Sequence, residues 1–248
     1  MLGKKVRMKQ LFPEGKMFIV PMDHSVSKGP INGLENYIET IKILIGTKVN
    51  CVVLHKGTLK QVLQYDQLCG FPYILHLSAS IEYYNKINEK VLVADVDEAI
   101  KFGALGVSIH INLYDGDVSN MLKDLGKVSK VCDYWGMPLL VMMYPIDKEG
   151  RSDKKRVIHA ARLAEELGAD IVKVPCVGEE ILEELVKRVS IPIVVSGGNY
   201  DSNLENFLDR IETAMKTGIS GVAIGRNVFQ QSDIMETARQ ISTIIMNT

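Results

Sequence analysis

Short apolar runs and longer amphipathic segments take turns along the whole chain. The runs MFIVP (17–21), VNCVVL (49–54), PYILHL (72–77), LGVSIHI (105–111), PLLVMMY (138–144), ADIVKV (169–174), IPIVV (191–195) and SGVAIG (220–225) are rich in branched residues and nearly continuous in hydrophobicity. That profile belongs to strands covered on both faces. Between them lie NGLENYIETIKILI, GTLKQVLQYDQL, DVDEAIKFG, VSNMLKDLGKVSKVCDYWG, DKKRVIHAARLAEELG, EEILEELVKRV and NLENFLDRIETAMKTG, with SDIMETARQISTIIM closing the series. Each sets its apolar residues at helical spacing, and several stop at a glycine (Gly103, Gly136, Gly168, Gly218), the residue favoured just past a helix end. Eight strands alternating with eight helices predict a single (β/α)₈ TIM barrel over residues 1–248, with no linker to mark a second domain. A doubly wound open sheet fits less well, because no GxGxxG follows the first strand.

Composition narrows the function classes. A hydrophobic fraction of 46% and 24% charged residues suit one sizeable core, and a net charge of −1 gives no reason to expect nucleic acid or anionic lipid as the main partner. Cys51, Cys69, Cys132 and Cys176 are scattered without a CxxC pair or a metal-ligand spacing, which predicts reduced thiols and no structural zinc. The basic start MLGKKVRMKQLF is not followed by an apolar leader segment, and no run reaches the roughly 18 apolar residues of a membrane span. A soluble, cytoplasmic protein is expected.

In a barrel, function gathers where strands end and βα loops begin. Asp23 and His24 follow the first run, His55 and Lys56 the second, His76 the third, and His110 and Asn112 close the fourth. Tyr144 ends the fifth and Lys173 the sixth; Ser196, Gly197 and Gly198 follow the seventh, Gly225 and Arg226 the eighth. Four of the five histidines therefore fall on one rim. His24 and His55 either touch substrate or are satisfied rim groups, whereas His76 and His110 are expected to be buried and hydrogen-bonded. Four histidines from four strands have no characteristic metal spacing, and no metal is expected. YYNK (83–86) reads as an exposed loop with too few aromatics for a nucleic-acid platform.

The last two rim loops, VVSGGN and IGRNVFQ, combine glycines that let backbone N–H groups approach a ligand with one arginine able to add a charge-assisted contact. Either loop alone is also an ordinary tight turn. Together, after strands seven and eight, they occupy the usual phosphate position of barrels. Beside a bound phosphate, the lysine in ADIVKV acquires a purpose. A neutral amine can condense with a ketone, and the iminium withdraws electrons from a neighbouring C–C bond. Tyr144 and Asp23 point toward the same mouth and are candidates for the proton transfers. Lys173 could instead snorkel to solvent or pair with Asp23, and Lys56 is the competing nucleophile or a cation that lowers the pKa of Lys173.

VPMDHSVSKGP (20–30), LHKG (54–57), HLSAS (76–80), VSIHINL (107–113), GMPLLVMMYP (136–145), HAARLAEELGADIVKV (159–174), SGGN (196–199) and GVAIGRNVFQ (221–230) closely resemble the class I, Schiff-base aldolase family of the archaeal-type fructose-bisphosphate aldolases. The nearest likeness is the branch of 2-amino-3,7-dideoxy-D-threo-hept-6-ulosonate synthases, and it runs nearly from end to end. The resemblance implies that Lys173 forms the Schiff base, that Tyr144 and Asp23 move protons, and that Gly197, Gly198, Gly225 and Arg226 bind phosphate. It further implies cofactor-free chemistry on a phosphorylated keto-sugar and an aldehyde, with aspartate semialdehyde as the expected acceptor, and homo-oligomeric rings, often decamers. Fructose-bisphosphate cleavage, a coenzyme A-dependent thiolase, an isomerase with Asp23 as base and a non-catalytic sugar-phosphate binder are the alternatives. Three departures from the family's usual pattern bear on the acceptor: Ser25 where glycine is usual, Ile146 and Asp147 after MMYP, and Val174, Pro175 and Cys176 after the lysine.

Overall fold

The computed structural model describes residues 2–82, 90–114, 116–146 and 156–248. The YYNK segment, Asp147 and the start of the segment read as DKKRV lie outside the described residues. Eight parallel strands close into a barrel: β1 (Met17–Pro21), β2 (Cys51–Leu54), β3 (Tyr73–His76), β4 (Gly106–Leu113), β5 (Leu139–Pro145), β6 (Ile171–Pro175), β7 (Ile193–Ser196) and β8 (Gly221–Ala223), each paired with its sequence neighbours and β8 returning to β1. All eight apolar runs form strands. The helices that follow them include Tyr37–Ile45, Lys56–Val62, Val96–Lys101, Ser119–Trp135, Val157–Glu166, Glu179–Arg188, Leu204–Lys216 and Ile234–Asn247, so the barrel count is complete. Several begin with one device, an Asx side chain taking the N–H three residues on, as Asp95 does from Glu98 at 2.7 Å and Asp233 from Glu236 at 2.9 Å. Gly103, Gly136, Gly168 and Gly218 all have positive φ, which is why those helices stop there.

Alternation along the strands decides what faces the axis. Phe18, Val20, Val52, Leu54, Val107, Ile109, Val141, Val172 and Val195 belong to the large shell between sheet and helices. Their alternates Met17, Ile19, Cys51, Val53, Ile74, Leu140, Met142, Ile171, Val194 and Ala223 fill the barrel interior. Carried upward, the inward phase reaches Asp23, His55, His76, His110, Tyr144, Lys173, Ser196 and Gly225. The chemistry at the mouth and the packing beneath it are one alternation read at different heights.

The opposite end is closed by a helix, Leu2–Leu11, that was not expected from the basic start of the chain. Leu11 and Phe12 insert into the interior cluster. Lys4 Nζ anchors the helix to Asp133 at 2.6 Å and Asp170 at 2.8 Å, while Arg7 donates to the Gly136 carbonyl at 2.8 Å. The β3 loop carries a second unexpected element, a small antiparallel pair of Ser78–Ala79 with Val91–Leu92. Among the described residues, no helix is long and apolar enough to cross a membrane.

Candidate active site

Lys173 sits on β6 opposite Met142 of β5 in register, and its ammonium is enclosed, the residue being only 7% exposed. Its Nζ lies 4.0 Å from the Met142 sulfur, a weak acceptor, and 5.9 Å from the centre of the Tyr144 ring. Tyr144 stands one inward position above Met142 on β5, and its ring packs on His110 with centroids 4.8 Å apart. Asp23 leaves the end of β1 to meet His76 Nε2 at 3.5 Å and His24 Nδ1 at 3.7 Å. His76 is fixed from behind by Ser108 at 2.8 Å and edge-on by His55, 5.2 Å away between ring centres. His110 contacts Asn112 at 2.9 Å, and its backbone N–H donates to Ser78. His76 is buried and bonded as expected, His110 is bonded but only half-buried, and His24 and His55 join His76 around Asp23.

Burial opposes charge throughout this group. His24 and His76 are pushed down to about 4, first by desolvation, with the Asp23 carboxylate working in the other direction. His110 is also held well below its ordinary range by burial. Burial alone would raise the Asp23 carboxyl, but His76, His24 and Lys173 outweigh it and hold the group below the usual carboxylate range. At neutral pH the site therefore offers one carboxylate acceptor among neutral imidazoles. For stability the sign is plain: between pH 6.5 and about 4 the unfolded chain binds protons that the folded His76 does not, so stability falls as pH falls through that window. The nearly inaccessible His76 accounts for up to about 3 kcal/mol of that loss, at about 1.4 kcal/mol per pH unit. Thermal midpoints measured from pH 7.5 down to 4.5 should drop steeply, and His76→Asn should flatten the slope even if its midpoint at pH 7.5 is lower; an unchanged slope would show that this histidine is not held neutral.

Two cavities meet at Lys173, Tyr144 and His24. The larger, about 610 Å³, runs beneath the β7 and β8 loops and is lined by Ser196, Gly197, Gly198, Gly225 and Arg226. Arg226 Nη2 donates to the Gly198 carbonyl at 2.9 Å, and its Nε is buried without a hydrogen-bond partner. Asn227, fully buried, ties the two loops together by donating to the carbonyls of Gly197 and Asn199 at 3.0 and 2.8 Å and accepting from the Asp201 N–H at 2.7 Å. A Cβ at Gly225 would lie 2.6 Å from the Pro21 carbonyl oxygen and 2.7 Å from the His24 ring, so any larger residue would push the β8 loop away from the end of β1. The arrangement provides backbone N–H groups, an arginine and an unsatisfied donor, which is chemistry suited to an oxyanion such as phosphate. The smaller cavity, about 160 Å³, holds Asp23, His55, His76 and His110 beside Lys173 and Tyr144.

One sequence candidate stands apart. Lys56 opens the helix Lys56–Val62 and turns its Nζ 3.1 Å from Glu98 of the next helix; it lines neither cavity. Its neighbour His55 has the inward phase, which leaves Lys56 the outward one, so it is placed neither to attack a ketone held at Lys173 nor to press on the Lys173 amine. Two residues that were not singled out from the sequence are in the site: Asn227, which lies within the IGRNVFQ loop, and Lys90, which lines the smaller cavity from the β3 loop. Asp23, His55 and His76 each present one ligand atom within 4.8 Å of the others, the one such convergence among the described residues and a spacing that a divalent cation would span.

Comparison with known proteins gives this geometry a lineage. The chain is 39% identical over 247 residues to 2-amino-3,7-dideoxy-D-threo-hept-6-ulosonate synthase 1 of Archaeoglobus fulgidus, covering 99% of this chain and 92% of that protein. It is 37% identical over 236 residues to 2-amino-4,5-dihydroxy-6-oxo-7-(phosphonooxy)heptanoate synthase of Streptomyces griseus, covering 94% of this chain and 86% of the relative. Its backbone matches the crystal structure of an archaeal fructose 1,6-bisphosphate aldolase with a TM-score of 0.89 at 27% identity, over 99% of this chain and 100% of that one. A second archaeal aldolase structure, with the catalytic lysine covalently bound to a carbinolamine intermediate, superposes with a TM-score of 0.87 at 26% identity over 98% and 99% of the two chains. The DeoC/LacD family aldolase model matches residues 17–231, from the first barrel strand past the eighth. With its enclosed lysine inside a closed parallel barrel, the chain belongs to the DeoC/LacD aldolase family and is an aldolase of the class I, Schiff-base type.

Proposed function

We propose that Lys173 takes a three-carbon keto fragment from a phosphorylated sugar and transfers it to a four-carbon amino-acid aldehyde, as in 2-amino-3,7-dideoxy-D-threo-hept-6-ulosonate synthesis. The observation that carries the reading is the seating of Lys173: an enclosed amine opening onto both cavities, one suited to an oxyanion and the other to an acceptor. The amine attacks the donor ketone, and loss of water from the carbinolamine leaves an iminium. The adjacent C–C bond then breaks, its electrons entering the iminium to form an enamine as the first aldehyde departs. The enamine carbon adds to the second aldehyde, and water releases the product. Tyr144 and Asp23 exchange protons with the hydroxyls that form and disappear. Gly197, Gly198, Gly225 and Arg226 hold the phosphate, Ser196 and His24 line its approach, and His55 orients the Asp23 group.

The relatives' product names support the acceptor. Both describe a seven-carbon chain with an amine at carbon 2 and a ketone at carbon 6. The aldol bond in such a chain lies between carbons 4 and 5, so carbons 1 to 4 arrive as 2-amino-4-oxobutanoate, aspartate semialdehyde. We extend the reading to reaction in the cytoplasm and self-assembly into rings, as the sequence resemblance implies. Fructose-bisphosphate cleavage is the second reading, favoured by the backbone match.

The test is to incubate the protein separately with dihydroxyacetone phosphate, fructose bisphosphate and a deoxy-ketohexose phosphate, reduce with borohydride and locate the adduct by peptide mass. A three-carbon mass on Lys173, with a seven-carbon product when aspartate semialdehyde is added, is expected. Fructose-bisphosphate cleavage with no such product would establish the second reading, and absence of any adduct would remove both.

A further inference from the structure

The smaller cavity contains a group that the imine chemistry leaves idle. Lys90 follows the β3 strand on the rim-side loop, and its Nζ donates to Ser80 Oγ at 2.6 Å. Both side chains line the space shared with Asp23, His110, Tyr144 and Lys173. At the same edge Lys28 Nζ lies 2.6 Å from Glu82. Beside Asp23, the smaller cavity thus carries Lys28, Lys90 and a second carboxylate, Glu82, none of which lines the larger cavity with the glycine loops. Ser80 is buried, whereas Lys90 is only half-buried and opens to the cavity.

We infer that Lys90, steadied by Ser80, receives the carboxylate of the acceptor aldehyde and so selects acidic acceptors. This rests on the acceptor reading above. In the reaction of the Streptomyces griseus relative, whose product is named as a 7-phosphonooxy compound, the transferred fragment keeps its phosphate on the carbon away from the new bond. With that phosphate in the larger cavity and the ketone at Lys173, the incoming aldehyde approaches from the opposite side, and the far end of a four-carbon acceptor then falls toward Lys90. An ammonium with one hydrogen-bond partner among the described residues, the neutral Ser80, has donors to offer, and a carboxylate can take both one of these and the Ser80 hydroxyl. Burial lowers the Lys90 ammonium to about 8, against the pull of Asp23 and Glu82, so the group remains mainly charged at neutral pH and an arriving carboxylate would restore what desolvation removes. Glu82 lies on the same side to face the acceptor's amine.

The experiment compares aspartate semialdehyde, succinic semialdehyde and propanal as acceptors for the wild type, Lys90→Met and Lys90→Arg. For Lys90→Met the preference in kcat/KM for both semialdehydes over propanal should fall about 10- to 100-fold, mostly through KM, while borohydride still traps donor on Lys173; arginine should restore part of it. In the wild type, L-homoserine should compete with the acceptor and 3-amino-1-propanol should not, a measurement that needs no variant to fold. Equal losses for all three aldehydes, or inhibition by both alcohols alike, would overturn the assignment. If the wild type uses aspartate semialdehyde and Lys90→Met keeps its full preference, this inference alone falls. If the wild type forms the adduct but accepts neither semialdehyde, the acceptor reading falls and takes the inference with it.

Discussion

Lys173→Met should lose the borohydride-trapped adduct entirely and retain on the order of 10⁻⁵ of wild-type turnover, the scale of loss seen when a covalent nucleophile is removed. Methionine keeps most of the side-chain volume and removes only the amine. The neighbour on β5 is itself Met142, 4.0 Å from the ammonium, so a thioether there meets compatible surroundings. Thermal unfolding has to accompany the kinetics, because Lys173 also helps to hold the buried Asp23 carboxylate and its removal leaves that group less compensated. Thermal unfolding and kcat together make the test decisive. A stable variant with no adduct shows that the amine does chemistry. Turnover within 100-fold of wild type, or an adduct found on Lys90, would move the nucleophile elsewhere.

Tyr144→Phe should lower kcat by about 10²- to 10⁴-fold, the usual contribution of a positioned proton-transfer group, while leaving the donor adduct on Lys173. The substitution deletes one hydroxyl and keeps the ring that packs on His110 and has its centre 5.9 Å from the Lys173 nitrogen. Imine formation and the later C–C step are therefore separated. Covalent intermediate should accumulate during turnover, visible as a larger trapped fraction at steady state. An unchanged kcat would show that the hydroxyl carries no proton in a slow step, and loss of the adduct would place it in carbinolamine formation instead.

Much of this site is legible from period-two alternation. Met17, Ile19 and the end of β1 set the phase that brings Asp23 inward, and Cys51 and Val53 do the same for His55. The same counting assigns Lys56 to the outside, where Glu98 takes its charge. Reading strand ends without phase made Lys56 a rival nucleophile. Lys90 was beyond reach for a different reason: it lies in a polar loop with no periodicity, and its place in the site depends on the short pairing of Ser78–Ala79 with Val91–Leu92, a tertiary contact no local pattern announces. Asn227 was hidden because its value is to the backbone of another loop, 28 to 30 residues earlier. The helix Leu2–Leu11 was missed since its four charged residues match its four apolar ones in number, and only Leu11 of its length is fully buried.

That helix shapes the kinetics expected of the enzyme. With Leu11 and Phe12 packed among the interior side chains, the barrel is filled below the lysine, and both cavities that reach the amine among the described residues lie on the rim side. For a reaction that proceeds through an imine, the departing aldehyde, the arriving aldehyde and the hydrolytic water must all use the same door, one after another. The first product has to leave before the second substrate can enter, which is the order of a ping-pong reaction.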